Sequence, residues 1–151
     1  MVHLFLDLEE TLIIDWFNPI LKTENIKIIK KFIKENKIKK ATMFSAAIWK
    51  HKEKEEFDKK FKLLLEEVLE IKLEVLVLEE AFSIVIKKNN ICAVNNAFLS
   101  SEIFLFNQKE DFFKQWLLAT KQKGTFVLFD DTVEDSVFMN KNIQIVMKGV
   151  K

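Results

Sequence analysis

Short, continuously apolar runs that each stop at a polar residue alternate with longer segments of helical periodicity, and this alternation most constrains the fold. The first run, Val2–Leu6, stops at Asp7, the second covers residues 41–44 and stops at Ser45, and a third, residues 126–129, precedes an acidic pair. Strands that are apolar along their whole length are typical of parallel sheets with both faces covered. We therefore predict an α/β fold, a Rossmann-like three-layer sandwich around a mostly parallel sheet.

The segments between these runs carry apolar residues at helical spacing. Residues 22–37 are predicted to form an amphipathic helix with Thr23 as its N-cap, and its apolar face consists of Ile26, Ile29, Phe32 and Ile33. A long helix after Ser45 should bury the face formed by Phe57, Phe61, Leu64, Leu65 and Val68. A helix over residues 110–121, stopped by Gly124, should bury Phe112, Phe113, Trp116 and Leu117.

Residues 73–106 contain four short apolar runs, VLVL, FSIVI, ICAV and IFLF, which we interpret as two or three strands, or as one strand and turns. A last strand is predicted over residues 143–147, after a short helix or turn. Because the chain has two Gly and one Pro, it offers no obvious linker. Residues 1–151 are therefore predicted to form a single domain.

The composition narrows the classes of function. With 24 basic against 23 acidic residues, the net charge of +1 gives no bulk attraction to nucleic acid or to a membrane surface. Cys92 is the only cysteine, so no intramolecular disulfide can form, and its apolar neighbours favour a core position. No run of about 18 apolar residues is present. A cytoplasmic protein without a membrane partner is expected.

Polar residues at the carboxyl ends of three predicted strands indicate a functional site. Asp7, Ser45 and Asp131 each follow a different strand, and parallel sheets bind ligands at that edge. All 24 basic residues are lysines, so a bound phosphate would be held by Lys, hydroxyls, backbone N–H groups or a metal. Two aspartates on neighbouring strand ends suit a hard cation, best Mg²⁺.

The segment FLDLEETL resembles the first motif of the haloacid dehalogenase (HAD) superfamily, an apolar strand followed by Asp-x-Asp-x-Thr. Asp7 and Thr11 match this motif, whereas Glu9 replaces its second Asp. The Glu-Thr-Leu ending is similar to the small carboxy-terminal-domain phosphatases. The segment ATMFSAA resembles the second motif and supplies Ser45, and FVLFDDTVED resembles the fourth and supplies Asp130, Asp131 and Asp135.

The third motif of that family is a lone lysine upstream of the fourth, so only its position guides the choice. Lys114 lies 17 residues before Asp131, a spacing that resembles the capless phosphatases, while Lys121 and Lys123 remain alternatives. The motifs run in family order over nearly the whole chain. The resemblance implies a HAD-like domain with no full cap domain, and hence an open site suited to large substrates.

The resemblance also implies a role for each residue. Asp7 would attack phosphorus, Glu9 would act as the acid and base, and Lys114 would neutralise charge. Thr11 and Ser45 would bind the substrate. The Mg²⁺ ligands would be drawn from Asp7, Glu9 through its backbone, Asp130, Asp131 and Asp135. The expected reaction is hydrolysis of a phosphomonoester such as a nucleotide, a nucleic-acid end or a phosphoprotein, through an aspartyl-phosphate.

Some of these residues also have simpler explanations that involve no catalytic site. Ser45 alone could cap a helix, and the pair Asp130 and Asp131 could sit at a helix N-terminus. Glu9 carries an extra methylene, which predicts slow turnover or an inactive HAD-like binding module that engages a protein or nucleic-acid partner. A stretch of lysines could follow a nucleic-acid backbone, although a solvated helix face is the favoured interpretation: Lys27, Lys30, Lys31, Lys34, Lys37, Lys39 and Lys40.

Overall fold

The computed structural model describes residues 1–88 and 101–151, with side chains at 1–87 and 109–151. The strands are β1 Val2–Leu6, β2 Lys40–Met43, β3 Lys72–Val75, β4 Gly124–Asp130, β5 Ser136–Met139 and β6 Ile143–Gly149. The helices are α1 Thr23–Glu35, α2 His51–Phe57, α3 Leu63–Leu69, α4 Leu78–Lys88 and α5 Ser101–Ala119, and a π-helical turn, Asp58–Lys62, joins α2 to α3. None of these helices combines the length and apolar character needed to cross a membrane.

The six strands form one sheet in the order β3-β2-β1-β4-β6-β5. All neighbouring pairs are parallel except β5 with β6, which are antiparallel. The predicted α/β class and mostly parallel sheet are therefore confirmed, and the arrangement is compatible with a Rossmann-like sandwich. The strand β5 was not predicted, because Ser136–Met139 is a short edge strand with only alternate residues partly covered.

Helices cover both faces of the sheet because the strand residues are apolar on both sides. Alternate residues of β1 illustrate this division. Leu4 and Leu6 pack into a core formed with α1, α2 and α3. Phe5, between them, packs into a second core formed with α4 and α5. The polar residues Asp7, Ser45 and Asp131 follow the strands and belong to neither hydrophobic core.

The predicted helices are confirmed with changes at their ends. Helix α1 buries Ile26, Ile29 and Ile33, but Thr23 is its first residue and Lys22 is the N-cap position, without a side-chain cap. Gly124 does not stop α5, because it opens β4 with a φ of 114°, and Lys121 is the left-handed residue after the helix. The predicted strands FSIVI and IFLF were wrong, since they lie within α4 and α5, whereas ICAV, with Cys92, lies outside the described residues.

The π-helical turn changes which face of the second helical segment is buried. Phe57, Phe61, Leu65 and Leu69 are buried at a constant spacing of four residues. Leu64, predicted to be buried, is 42% exposed. A turn with i→i+5 hydrogen bonds is wider than an α-helical turn, so an ideal helical period misplaces residues beyond it.

Candidate functional site

The order of the strands places a crevice between β1 and β4. From β1 the chain passes to β2 and β3 on one side and then crosses back to β4 on the other side. Ligands of open α/β sheets bind at the carboxyl ends of strands where the direction of winding reverses in this way. The backbone N–H of Asp7 donates to the carbonyl of Phe129 at 3.0 Å, which joins the ends of the two strands. Asp7 and Asp131 thus flank this switch point.

Asp7 is a buried carboxylate with a partner on each oxygen. Its side chain lies at the end of the central strand β1 and is 6% exposed. Lys109 Nζ donates to Oδ1 at 2.8 Å, and Thr11 Oγ1 donates to Oδ2 at 3.0 Å. Two partners on one carboxylate fix its orientation, as a reacting or metal-binding group requires.

Thr11 connects Asp7 to Asp131. The fully buried hydroxyl accepts a hydrogen bond from the backbone N–H of Asp131 at 3.1 Å while it donates to Asp7. The turn that carries Thr11 is tight, with Glu10 in the left-handed region at a φ of 63°. From α1, Asn25 donates its side-chain amide to the carbonyl of Thr11 at 3.1 Å and anchors this turn. The geometry places Thr11 at the site but not in its predicted substrate-binding role, because Asp7 and the backbone of Asp131 occupy its buried hydroxyl.

The lysine of the site is Lys109. Its side chain is 8% exposed, and its Nζ forms ion pairs with Asp7 Oδ1 and Asp130 Oδ2. The contact with Asp130 is an ion pair rather than a well-directed hydrogen bond. The ammonium group also lies 5.6 Å from the centre of the Phe44 ring. A lysine held between two buried carboxylates stays charged and fixes their separation.

The structure does not bring Lys114, the predicted site lysine, into contact with Asp7, Asp130 or Asp131. Lys114 instead pairs with Glu110 at 3.4 Å and lies over the ring of Phe138. Five residues separate the two lysines on α5, which rotates their side chains apart by roughly 140° around the helix. The alternatives Lys121 and Lys123 precede β4 and therefore lie at the amino-terminal ends of the strands, opposite Asp7.

The sequence does contain a signal for Lys109. Apolar residues follow Lys109 three, four and seven positions later, namely Phe112, Phe113 and Trp116. Lys109 therefore belongs to the apolar stripe of α5. A lysine on an apolar stripe is a candidate for burial beside carboxylates. The signal was missed because the helix was predicted to begin at residue 110, whereas α5 begins at Ser101.

Asp130 and Asp131 lie in the site, whereas Asp135 does not. Asp130 is fully buried, and its Oδ1 accepts from both the N–H and the hydroxyl of Thr132 at 2.8 and 2.7 Å. Asp7, Asp130 and Asp131 form what we call the acidic cluster, in which one carboxylate oxygen of each residue lies within 4.8 Å of the others. Asp135 was predicted as a metal ligand, but it is exposed and accepts from the N–H of Gly149 at 2.7 Å.

The Glu9 carboxylate and the Ser45 hydroxyl each accept a local hydrogen bond. Glu9 Oε2 accepts from the backbone N–H of Trp16 at 2.7 Å, and its carboxylate is not part of the acidic cluster of the described residues. Ser45 is buried, and its Oγ accepts from the N–H of Ala47 at 3.2 Å. Ser45 follows β2, the neighbour of β1, so it lies at the predicted edge while it stabilises its own turn.

The carboxylates of the acidic cluster are buried close to one another, and this raises the pKa values of Asp7 and Asp131. Burial, a hydrogen bond with Asp7 and the charges of Asp7 and Asp130 raise the pKa of Asp131 to about 7. Burial also raises the pKa of Asp7, although Lys109 partly offsets this effect. For Lys109, burial favours the neutral form, but Asp7 and Asp130 outweigh it and raise its pKa.

The raised pKa of Asp131 predicts how the stability of the fold changes with pH. The pKa of Asp131 in the folded state, about 7, lies above the ordinary value of 3.8, so the folded protein binds the proton more tightly than the unfolded chain. Without divalent cations, this group's contribution to stability should be fully present below pH 3.8 and be lost as the pH rises through about 7. Thermal unfolding of the parent and of Asp131→Asn across this range should show a shallower decline in the variant. Parallel curves would contradict the raised pKa.

The cluster fits a divalent cation. Three carboxylates and one ammonium group leave a formal charge of −2, which one divalent ion neutralises. All donors are carboxylate oxygens, the ligand type that hard cations such as Mg²⁺ prefer. The raised pKa of Asp131 means that a proton and a metal compete for this site, as is general for metal ligands.

Comparison of the chain with known protein families, with characterised proteins and with solved structures gave no match.

Proposed function

We propose that this protein is a Mg²⁺-dependent phosphohydrolase that acts on a phosphomonoester through an aspartyl-phosphate at Asp7. The observation that carries the proposal is the setting of Asp7: a buried carboxylate between Lys109 and Thr11, with Asp131 close enough to share a cation. The first and fourth of the motifs that resemble the HAD superfamily support it, since their residues Asp7, Thr11, Asp130 and Asp131 converge at the carboxyl ends of β1 and β4. HAD-like membership is part of the same proposal.

In the proposed reaction, a carboxylate oxygen of Asp7 attacks phosphorus and the bond to the leaving oxygen breaks. Glu9 would give a proton to the leaving oxygen and take one back from the water that then attacks the phosphorus of the aspartyl-phosphate, which releases inorganic phosphate and restores the carboxylate. The ammonium group of Lys109 offsets the negative charge of Asp7 and of the incoming phosphate. Thr11 keeps Asp7 aligned throughout.

Asp7 and Asp131 would hold the Mg²⁺ ion, with Asp130 beside them. When bound, the ion supplies positive charge that neutralises the phosphate and the carboxylates as they approach each other. Ser45 lies at the end of the adjacent strand, where its hydroxyl group could donate to a phosphate oxygen. Within residues 1–88 and 101–151, every strand belongs to the sheet and the helices pack on it, which supports an open site without a full cap domain.

Glu9, the proposed acid and base, also favours a second candidate function. The Glu9 carboxylate accepts a hydrogen bond from the Trp16 N–H, which occupies one of its oxygens with the loop after β1. If this bond persists with substrate, proton transfer is slow and the protein is a binding module that retains phosphate or metal without turnover.

A phosphatase assay with a generic aryl phosphate, with and without Mg²⁺, separates the two functions when the parent and Glu9→Asp are compared. We expect slow, Mg²⁺-dependent hydrolysis by the parent and a rate up to about 100-fold higher in Glu9→Asp, because a displacement of one methylene costs roughly this much. Activity that appears only in Glu9→Asp would support the binding module. No activity in either protein would contradict the enzymatic proposal.

A further inference from the structure

The amino-terminal edge of the sheet, opposite Asp7, carries two adjoining cavities lined by lysines. The first, of about 420 Å³, lies between the end of α1 and the end of α3. It is lined by four lysines and one acidic residue: Lys30, Lys34, Lys37, Lys39 and Glu70. The second, of about 540 Å³, lies across the start of β1 and β2. Lys37 and Lys39 line both cavities, so the two form one continuous surface, which we call the lysine edge.

The lysine edge has an excess of positive charge. Lys30 pairs with Glu70 at 3.3 Å. Lys34, Lys37 and Lys39 form no ion pair with any residue that the structure describes. Three ammonium groups around one cavity repel one another, and a bound polyanion would relieve this repulsion. The net charge of +1 does not show this local excess, since it is a sum over the whole chain and includes the acidic cluster at the other end of the strands.

The second cavity adds aromatic surface to the lysines. The exposed ring of His3 stacks on Phe126 with centroids 4.6 Å apart and an interplanar angle of 14°. Half-buried Trp116 lines the same cavity. Burial, then the positive amino terminus and Lys40, lower the pKa of His3, so its ring is uncharged at neutral pH. An uncharged, flat ring at a cavity mouth can stack with a nucleobase.

We propose that the lysine edge binds single-stranded nucleic acid. Phosphates would lie on Lys34, Lys37 and Lys39, and a base would enter the second cavity against His3 and Trp116. Lysines along a groove beside aromatic rings are the usual means of holding a single strand without reading its sequence. Lys30 and Lys34 are one helical turn apart, roughly 6 Å along α1, so the positive surface extends beyond the reach of one phosphate. Binding here is independent of the chemistry proposed at Asp7.

The test measures binding of a short fluorescent oligo(dT) and its oligo(U) counterpart by anisotropy as the salt concentration is raised. The variant Lys34→Gln/Lys37→Gln/Lys39→Gln should bind at least about 10-fold more weakly at low salt. Its plot of log affinity against log salt should be shallower by about 2, at roughly 0.7 per phosphate contact in a single strand. Comparing the two oligonucleotides shows whether DNA or RNA is preferred.

The matched control removes the same charge elsewhere. Lys52→Gln/Lys59→Gln/Lys60→Gln alters exposed lysines that line neither cavity, and it should bind like the parent. Equal weakening in both triple variants would overturn the proposal, since only bulk charge would then matter. Failure of the parent to bind either oligonucleotide at low salt would also overturn it.

The aromatic part of the proposal needs its own variant. His3→Ala should weaken oligonucleotide binding on the order of 10-fold, because one stacked base is lost, and should leave binding of inorganic polyphosphate unchanged. If His3→Ala has no effect and polyphosphate competes as well as the oligonucleotide, the surface binds anions in general and the assignment to nucleic acid fails. Circular dichroism of each variant confirms that the fold is intact.

Discussion

Asp7→Asn is expected to lower kcat for phosphate-ester hydrolysis by at least about 1,000-fold, the scale of loss when a nucleophile is removed. An amide is a poor nucleophile and carries no charge to bind a cation. Asparagine has nearly the shape of aspartate, and its amide oxygen can still accept the hydrogen bond from Lys109, whereas its amide nitrogen would face the Thr11 hydroxyl as a donor. The loss should therefore appear in steady-state kinetics with Mg²⁺ while the fold is retained.

Asp15→Asn is the matched control for this experiment. Asp15 is on the exposed loop after β1 and accepts hydrogen bonds from Phe17 and Asn18. It is not part of the acidic cluster, so the variant should hydrolyse the substrate within about twofold of the parent rate, as for surface changes away from a site. If Asp7→Asn were as fast as the parent, the aspartyl-phosphate mechanism would be refuted.

Lys109→Met is expected to destabilise the protein by about 3–5 kcal/mol, since it leaves buried carboxylates without their cation. Methionine has nearly the volume of lysine and fills the same space beside Phe44, so packing changes little. The free energy of unfolding from urea titrations above pH 7 measures the effect. Lowering the pH should restore part of the loss, because protonation removes the repulsion between Asp7 and Asp130.

Lys114→Met, five residues further along α5, is the control. Its partly exposed pair with Glu110 should contribute less than about 1 kcal/mol, as surface ion pairs do. Equal destabilisation by the two variants would contradict the assignment of Lys109 to the site. Mg²⁺ should stabilise Lys109→Met more than the parent, since the ion neutralises the carboxylates that the lysine no longer pairs.

The sequence predicted the strand ends well because their signal is local. An apolar run with a polar stop identifies β1 and β4 without knowledge of any other residue, and the two stops, Asp7 and Asp131, do lie together. The convergence then follows from parallel pairing alone. Thr11 was predicted instead from the resemblance of FLDLEETL to the first HAD motif, in which it takes the Thr position.

The errors have physical causes that are not local. The FSIVI run is apolar and rich in β-branched residues, yet it lies in α4, whose buried positions Ala81 and Val85 follow helical spacing against α5. Tertiary packing here overrides a β-prone composition. The choice of Lys114 used sequence distance, whereas the side of the helix decides which lysine reaches Asp7. Asp135 does not join the acidic cluster, because its carboxylate accepts a hydrogen bond from the backbone N–H of Gly149.

A crystal structure of the protein with Mg²⁺ and beryllium fluoride, a mimic of a phosphoryl group on a carboxylate, tests the central claim most directly. The account predicts beryllium bonded to a carboxylate oxygen of Asp7, with Mg²⁺ between this group and Asp131 and with Lys109 still against Asp7. Beryllium fluoride bound away from Asp7, or Mg²⁺ that is coordinated without both aspartates, would contradict it.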